Sequence, residues 1–162
     1  MRGSFHLQWF TVMVSIILFS CSGPKNVIQS AEAFIVTPQQ GTVKVDEKGN
    51  EVDPIPSPVI VVFVHCTSNK VNWDSAWLGN SQYPVLQQPV TQPLEMGTDA
   101  TTGNKIMIRP QEGSYLFQLQ VNPRPLKGEE WAGSIRVRAS YRNKTILKEV
   151  APIRTITTPD AQ

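Results

Sequence analysis

Hydrophobic positions along this chain form one continuous block near the start and a series of short alternating runs after it. The block is Trp9-Phe10-Thr11-Val12-Met13-Val14-Ser15-Ile16-Ile17-Leu18-Phe19, behind a polar start whose fixed charge is Arg2. A helix that crosses a bilayer needs about 20 apolar residues, and this run is well short of that. It has the length of a signal-peptide core, roughly 7–15 residues. It carries no amphipathic stripe of the kind that marks a core helix. Small residues follow in Ser20-Cys21-Ser22-Gly23, and Pro24 ends any helix. Residues 1–20 therefore read as a cleavable export signal.

Beyond it the pattern is that of strands. Ser22 to Ala33 is polar and aperiodic and reads as a tether, so that residues 21–33 precede a domain beginning at Phe34. Phe34-Ile35-Val36-Thr37 is a β-prone run stopped by Pro38. Thr42 to Asp46 alternates with period two, Lys48-Gly49-Asn50 supplies a turn, and Glu51 to Asp53 can return. Asp53 to Pro58 is a proline-rich connector that cannot lie in a sheet centre. Val59 to Cys66 is the strongest strand. Val59, Val61, Phe63 and His65 point one way, Ile60, Val62, Val64 and Cys66 the other, and two apolar faces predict a central strand covered on both sides.

Asn72 to Gly79 has Trp73 and Trp77 four apart and reads as a brief helical turn capped by Asn72 and Gly79. Asn80 to Gly103, rich in Gln, Pro and Thr, reads as a long loop with an edge strand near Val85–Leu86. Asn104 to Arg109 is a strand. Ser114 to Val121 alternates, with Tyr115, Phe117, Leu119 and Val121 inward and only Leu116 out of phase. Ser134 to Tyr141 repeats the alternation with Arg136 and Arg138 outward. Arg142-Asn143-Lys144 turns the chain into Thr145–Val150, and Ile153 to Thr157 adds a last strand before a frayed tail, 159–162. Seven or eight short strands with almost no helix predict one all-β domain over 34–158. The expected fold is an antiparallel β-sandwich, immunoglobulin-like or transthyretin-like, with a small β-barrel as the alternative.

Composition narrows the partners. Charged residues are 17% of the chain, below the roughly 25% of a typical soluble domain. The net charge of +2 is too small to point to nucleic acid. The cysteines are Cys21 and Cys66. Leu18-Phe19-Ser20-Cys21, at the end of the apolar block, resembles the lipobox of bacterial lipoproteins. The resemblance implies that Cys21 becomes an acylated N-terminus, and Ser22 after it is similar to members sorted to the outer membrane. More than one acyl chain gives stable anchoring, at about 0.8 kcal/mol per buried CH₂. The rival is ordinary cleavage near Ser22 and a soluble secreted product; Ala31-Glu32-Ala33 also resembles a cleavage box but lies far from the apolar block. Acylation of Cys21 leaves Cys66 as a buried core thiol, and a disulfide between the two requires an unmodified Cys21. Asn143-Lys144-Thr145 matches a glycosylation acceptor, which matters only in a eukaryotic secretory host.

Chemistry is sparse. His65 is the one histidine after the signal, and on a strand it and Cys66 face opposite sides, so they form neither a dyad nor a ligand pair. Metal-ligand spacings, phosphate loops and a nucleophile elbow are absent, and no cofactor is expected. The carboxylates Glu129-Glu130 and those at Asp46, Glu47, Glu51 and Asp53 read as solvated turn charge, and an enzyme is not expected. Two features could carry binding. One is a basic stripe, Arg136, Arg138, Arg142, Lys144 and Lys148, suited to anionic lipid, lipopolysaccharide or an acidic partner. The other is aromatic, Trp73, Trp77 and Tyr83, with Trp131 in another turn. The expected function is an outer-membrane lipoprotein facing the periplasm that binds another envelope protein, as an anchor or assembly partner of a secretion or appendage machine. The alternative is a secreted or anchored module for a carbohydrate or lipid.

Overall fold

The computed structural model describes residues 26–36, 48–49, 58–123 and 133–157. Among them are eleven strands and no helix: β1 (Ile28–Val36), β2 (Val59–Cys66), β3 (Asn72–Leu78), β4 (Ser81–Pro84), β5 (Leu86–Val90), β6 (Leu94–Asp99), β7 (Lys105–Ile108), β8 (Tyr115–Val121), β9 (Ile135–Tyr141), β10 (Lys144–Val150) and β11 (Ile153–Thr157). They form a seven-stranded sheet in the order β5-β8-β2-β1-β11-β6-β7 and a four-stranded sheet in the order β10-β9-β3-β4. The all-β sandwich expected from the sequence is the architecture found, with more strands than the seven or eight read there. Pairing is antiparallel except between β1 and β11, which run parallel from Ala33↔Ile153 to Val36↔Ile156. Apart from Lys48 and Gly49, the hairpin expected over 42–53 lies outside the described residues, as do the segment with Glu129, Glu130 and Trp131 and the export signal.

The core is built around β2, which sits between β1 and β8. Its even residues Ile60, Val62, Val64 and Cys66 point to the four-stranded sheet. There they meet Phe117, Leu119 and Val121 of β8, Trp73 and Ala76 of β3, and Ile135, Val137 and Ala139 of β9. Its odd residues Val61 and Phe63 point the opposite way into a second cluster with Phe34, Leu116, Ile106, Ile108 and Ile156. Phe34 and Phe63 meet edge-on, with centroids 6.0 Å apart at 63°. β7 lies four places from β2 in the sheet order, yet Ile106 and Ile108 join Phe63. The large sheet therefore curls over its own outer face like half a barrel. Each side chain so buried contributes about 1.5–3 kcal/mol of transfer free energy.

The second cluster explains Leu116. It is out of phase with Phe117 and Leu119 because its side of β8 is also covered, and it is buried there. Tyr115, expected inward, is 47% exposed as the first residue of β8.

Three sequence expectations are corrected. The tether ends earlier than Ala33, since β1 begins at Ile28 and pairs with β2 from Ile28↔Cys66 onward. Its polar Ser30 and Glu32 alternate with half-buried Ala31 and buried Ala33, and a bulge between Ile28 and Ser30 obscures the period. Asn72 to Leu78 is a strand and not a helical turn. A bulge between Trp73 and Ser75 shifts the phase, so Trp73, Ala76 and Leu78 face inward while Trp77 faces out. The expected loop over 80–103 holds β4, β5 and β6. Its prolines fit because β4, ending in Pro84, and β5, containing Pro89, are edge strands of the two sheets.

Polar clips hold the curl. Asp99, buried at the end of β6, accepts the backbone N–H groups of Thr101 and Thr102 at 2.9 and 3.0 Å. Arg154 of β11 pairs with Glu32, lies 3.9 Å from Asp99 and sits 4.6 Å over the Phe34 ring. On the opposite flank, Gln87 of β5 accepts the Trp73 N–H at 3.0 Å and reaches the Val71 carbonyl, closing one side of the sandwich.

Two outcomes are expected. Leu119→Ala, at a fully buried position, lowers unfolding free energy by about 2–5 kcal/mol in a denaturant titration; a loss under about 1 kcal/mol contradicts the core. The Thr102 and then the Thr101 N–H hold the Asp99 carboxyl below its ordinary 3.8. A depressed carboxylate stabilises the fold above its unfolded pKa, and that contribution is lost as pH falls through the folded one. Stability therefore drops on acidification below 3.8. Asp99→Asn makes that drop shallower, whereas an unchanged acid slope shows that Asp99 contributes nothing to it.

Candidate functional site

The outer face of the four-stranded sheet brings together part of both sequence candidates. The register sets Leu147 of β10 opposite Arg138 of β9, and Arg138 opposite Ser75 of β3. One step along, Glu149, Arg136, Trp77 and Gln82 lie in a row across the sheet. Trp77, Arg136, Arg138, Thr145 and Leu147 line a shallow groove there. The Arg138 guanidinium sits 5.5 Å from the Trp77 ring centroid and donates to Asp74 at 2.7 Å. The Ser75 hydroxyl, and after it Arg138, hold the Asp74 carboxyl below its usual range. Arg138 is thus fixed in place by an acid and an aromatic ring.

The remaining candidates are dispersed. Trp73 is buried in the main core and Tyr83 is half-buried against it, so neither belongs to an exposed aromatic platform. The indole N–H of Trp73 has no hydrogen-bond partner among the described residues. The basic stripe divides between two faces. Lys148 stands opposite Val137 and Lys144 opposite Tyr141, in phase with the inward residues of the edge strand β10. Inward-pointing charge of this kind guards a free strand edge against pairing. Arg142 lies in the β9–β10 turn, where it and Asn143 have φ values of 49° and 60°, and its guanidinium is 5.1 Å from the Tyr141 ring. Asp74 and Glu149 further offset the charge of Arg138 and Arg136.

Leu147 is the residue the sequence pattern left unmarked. It is 63% exposed, the most open large apolar side chain in this sheet. Ile146 and Leu147 are adjacent on one strand, so only one can face the core, and that adjacency was the available signal.

His65 is half-buried on the curled face of the large sheet, and its Nδ1 lies 3.3 Å from the Ser114 hydroxyl. That hydroxyl donates to the Gln111 carbonyl at 3.0 Å, which leaves Nδ1 as the donor to it. The geometry positions a loop and does not activate a nucleophile. Cys66 is fully buried on the opposite face as a free thiol, and burial pushes its pKa up to about 12. Among the described residues, no three of His, Cys, Asp and Glu stand close enough to hold a metal ion.

No protein-family model matches the chain, and no curated protein or solved structure matches it.

The two tryptophans should respond differently to truncation. Trp73→Ala is expected to cost about 3–5 kcal/mol in equilibrium unfolding, and Trp77→Ala no more than about 1 kcal/mol. Equal losses would contradict their placement on opposite faces.

Proposed function

We propose that this chain is a lipid-anchored lipoprotein of the outer membrane, facing the periplasm, whose β-sandwich binds another envelope protein as an anchor or assembly partner. Two lines of support meet. The lipobox-like Leu18-Phe19-Ser20-Cys21 follows a signal-length apolar block, and Ser22 fits outer-membrane sorting. The observation that supports a protein partner is the groove at Trp77, Arg138 and Leu147, where an exposed leucine adjoins a ring and a prefixed guanidinium. Aromatic and Arg side chains with an apolar neighbour are what interface hot spots use. A sugar-binding platform fits less well, because Arg138 occupies one face of the Trp77 ring.

Intact-mass analysis of the mature N-terminus, purified from the membrane fraction of the native host, tests the anchor. Acylated Cys21 is the expected result; an unmodified N-terminus in a soluble fraction removes the lipoprotein reading and leaves a secreted module. The face is tested by site-specific photo-crosslinking in the envelope. A crosslinker at Leu147 is expected to trap one discrete partner, lost on Arg138→Glu, while one at exposed Gln88 on the large sheet traps none. Equal yields from both positions would refute this face as the binding site.

A further inference from the structure

One end of the sandwich differs in charge from the rest. The registers define that end. Ile28 lies opposite Cys66, and Cys66 opposite Tyr115, so β1 starts where β2 ends and β8 begins. Asn72 opposite Ser140 brings the β9–β10 turn to the same end. Val90 opposite Leu116, with Leu94 opposite Ile108, brings Arg109 there as well. The charged residues gathered are Lys70, Arg109, Arg142 and Lys144, with one acid, Glu112, and all are exposed.

None of these four basic groups is held in an ion pair among the described residues. Along the strands, Arg138, Arg154 and Lys105 pair with Asp74, Glu32 and Glu95, while Arg136 and Lys148 are in no ion pair among the described residues; what sets this end apart is that four such groups gather there with one acid. Tyr115, 47% exposed, opens β8 at the same end. Tyr is a side chain of membrane–water interfaces, with an apolar body and a polar tip. The same end receives the N-terminal segment. The Val27 carbonyl accepts the Thr67 N–H at 2.8 Å, which ties the start of β1 to the β2–β3 connection. Cys21 lies six residues before Val27, a span of at most about 20 Å. Exposed charges are largely screened beyond one Debye length, about 8 Å at physiological salt, and a tether this short lets the end come that close to the bilayer.

We infer that this end of the sandwich is a membrane-docking surface for anionic phospholipid headgroups, contacted by Lys70, Arg109, Arg142 and Lys144 around Tyr115. The strands then run roughly along the membrane normal, and the Trp77–Leu147 face is turned sideways to a partner. The closeness of the bilayer rests on the lipid-anchor reading; the chemistry rests on the unpaired charges. Each basic residue near an anionic surface strengthens association roughly fivefold.

The test uses the full chain purified from membranes, with nitroxide labels at Tyr115→Cys or at Asn80→Cys on the opposite end. The parent chain gives the labelling background. Vesicles of phosphatidylcholine alone are compared with vesicles containing phosphatidylglycerol, and collisions with oxygen and with an aqueous nickel complex report depth. The expected result is a Tyr115 label at the interface of anionic vesicles only, returned to water by Lys70→Glu, Arg142→Glu and Lys144→Glu together. The Asn80 label stays in water throughout. A Tyr115 label equally aqueous in both vesicle types, or one that survives the triple reversal, overturns the inference. The intact mass of the same preparation reads the anchor separately. An unacylated chain whose Tyr115 label still enters anionic vesicles keeps the docking surface and loses the anchor; an acylated chain whose label stays in water does the reverse.

Discussion

Val61 and Phe63 point away from the space between the two sheets, and apolar side chains there cost free energy unless something covers them. β2 has apolar residues on both faces, so a single sandwich core cannot satisfy it. The large sheet answers by curling until Ile106 and Ile108 of β7 reach Phe63. Much of the rest follows from that. β11 must join β1 in parallel to extend the sheet far enough, and β6 and β7 must continue it round. A bulge between Glu95 and Gly97 lies within the β6–β7 pair, with Gly97 at φ 117°, a conformation that glycine adopts freely. The Arg154 group then clips the curl where β1, β11 and β6 meet.

The fold class is legible because β8 and β9 alternate with the period of two of a half-covered sheet, while β2 is a short β-branched run that is apolar on both faces. The apolar faces of Val59–Cys66 and the inward Ile135, Val137 and Ala139 needed no tertiary information. What failed has physical causes. Trp73 and Trp77 have helical spacing, but an extra residue at the bulge puts them on opposite faces of a strand, and no local property marks a bulge of that kind. Pro84 and Pro89 disguised two strands because a proline is tolerated only at a sheet edge, and edges are decided by the whole topology. Polar Ser30 and Glu32 hid β1, whose pairing depends on β2 and β11.

The binding candidates divided for the same reason. Arg136 and Arg138 lie on the outside of β9 as its alternation predicts, whereas Lys144 and Lys148 fall on the inward phase of β10 because of the tight turn at Arg142 and Asn143. What remains is a division of labour between the sheets. The seven-stranded sheet contributes to both clusters, one on each of its faces, and the four-stranded sheet leaves one face open. On that face Arg138 is held by Asp74 and Trp77, and for the proposed protein partner such preorganisation would lower the entropic cost of association.

The central claim is that the two faces of β2 hold one cooperative structure together. Native-state hydrogen exchange on Phe63→Ala tests it most directly, because Phe63 belongs only to the outer cluster. The account predicts faster exchange at Ile106 and Ile108 of β7 and also at Val62 and Val64 of β2, since loss of the outer cluster uncovers the central strand. Acceleration confined to β2, with β7 exchanging as in the parent chain, would show that β7 does not depend on Phe63 and would contradict the claim.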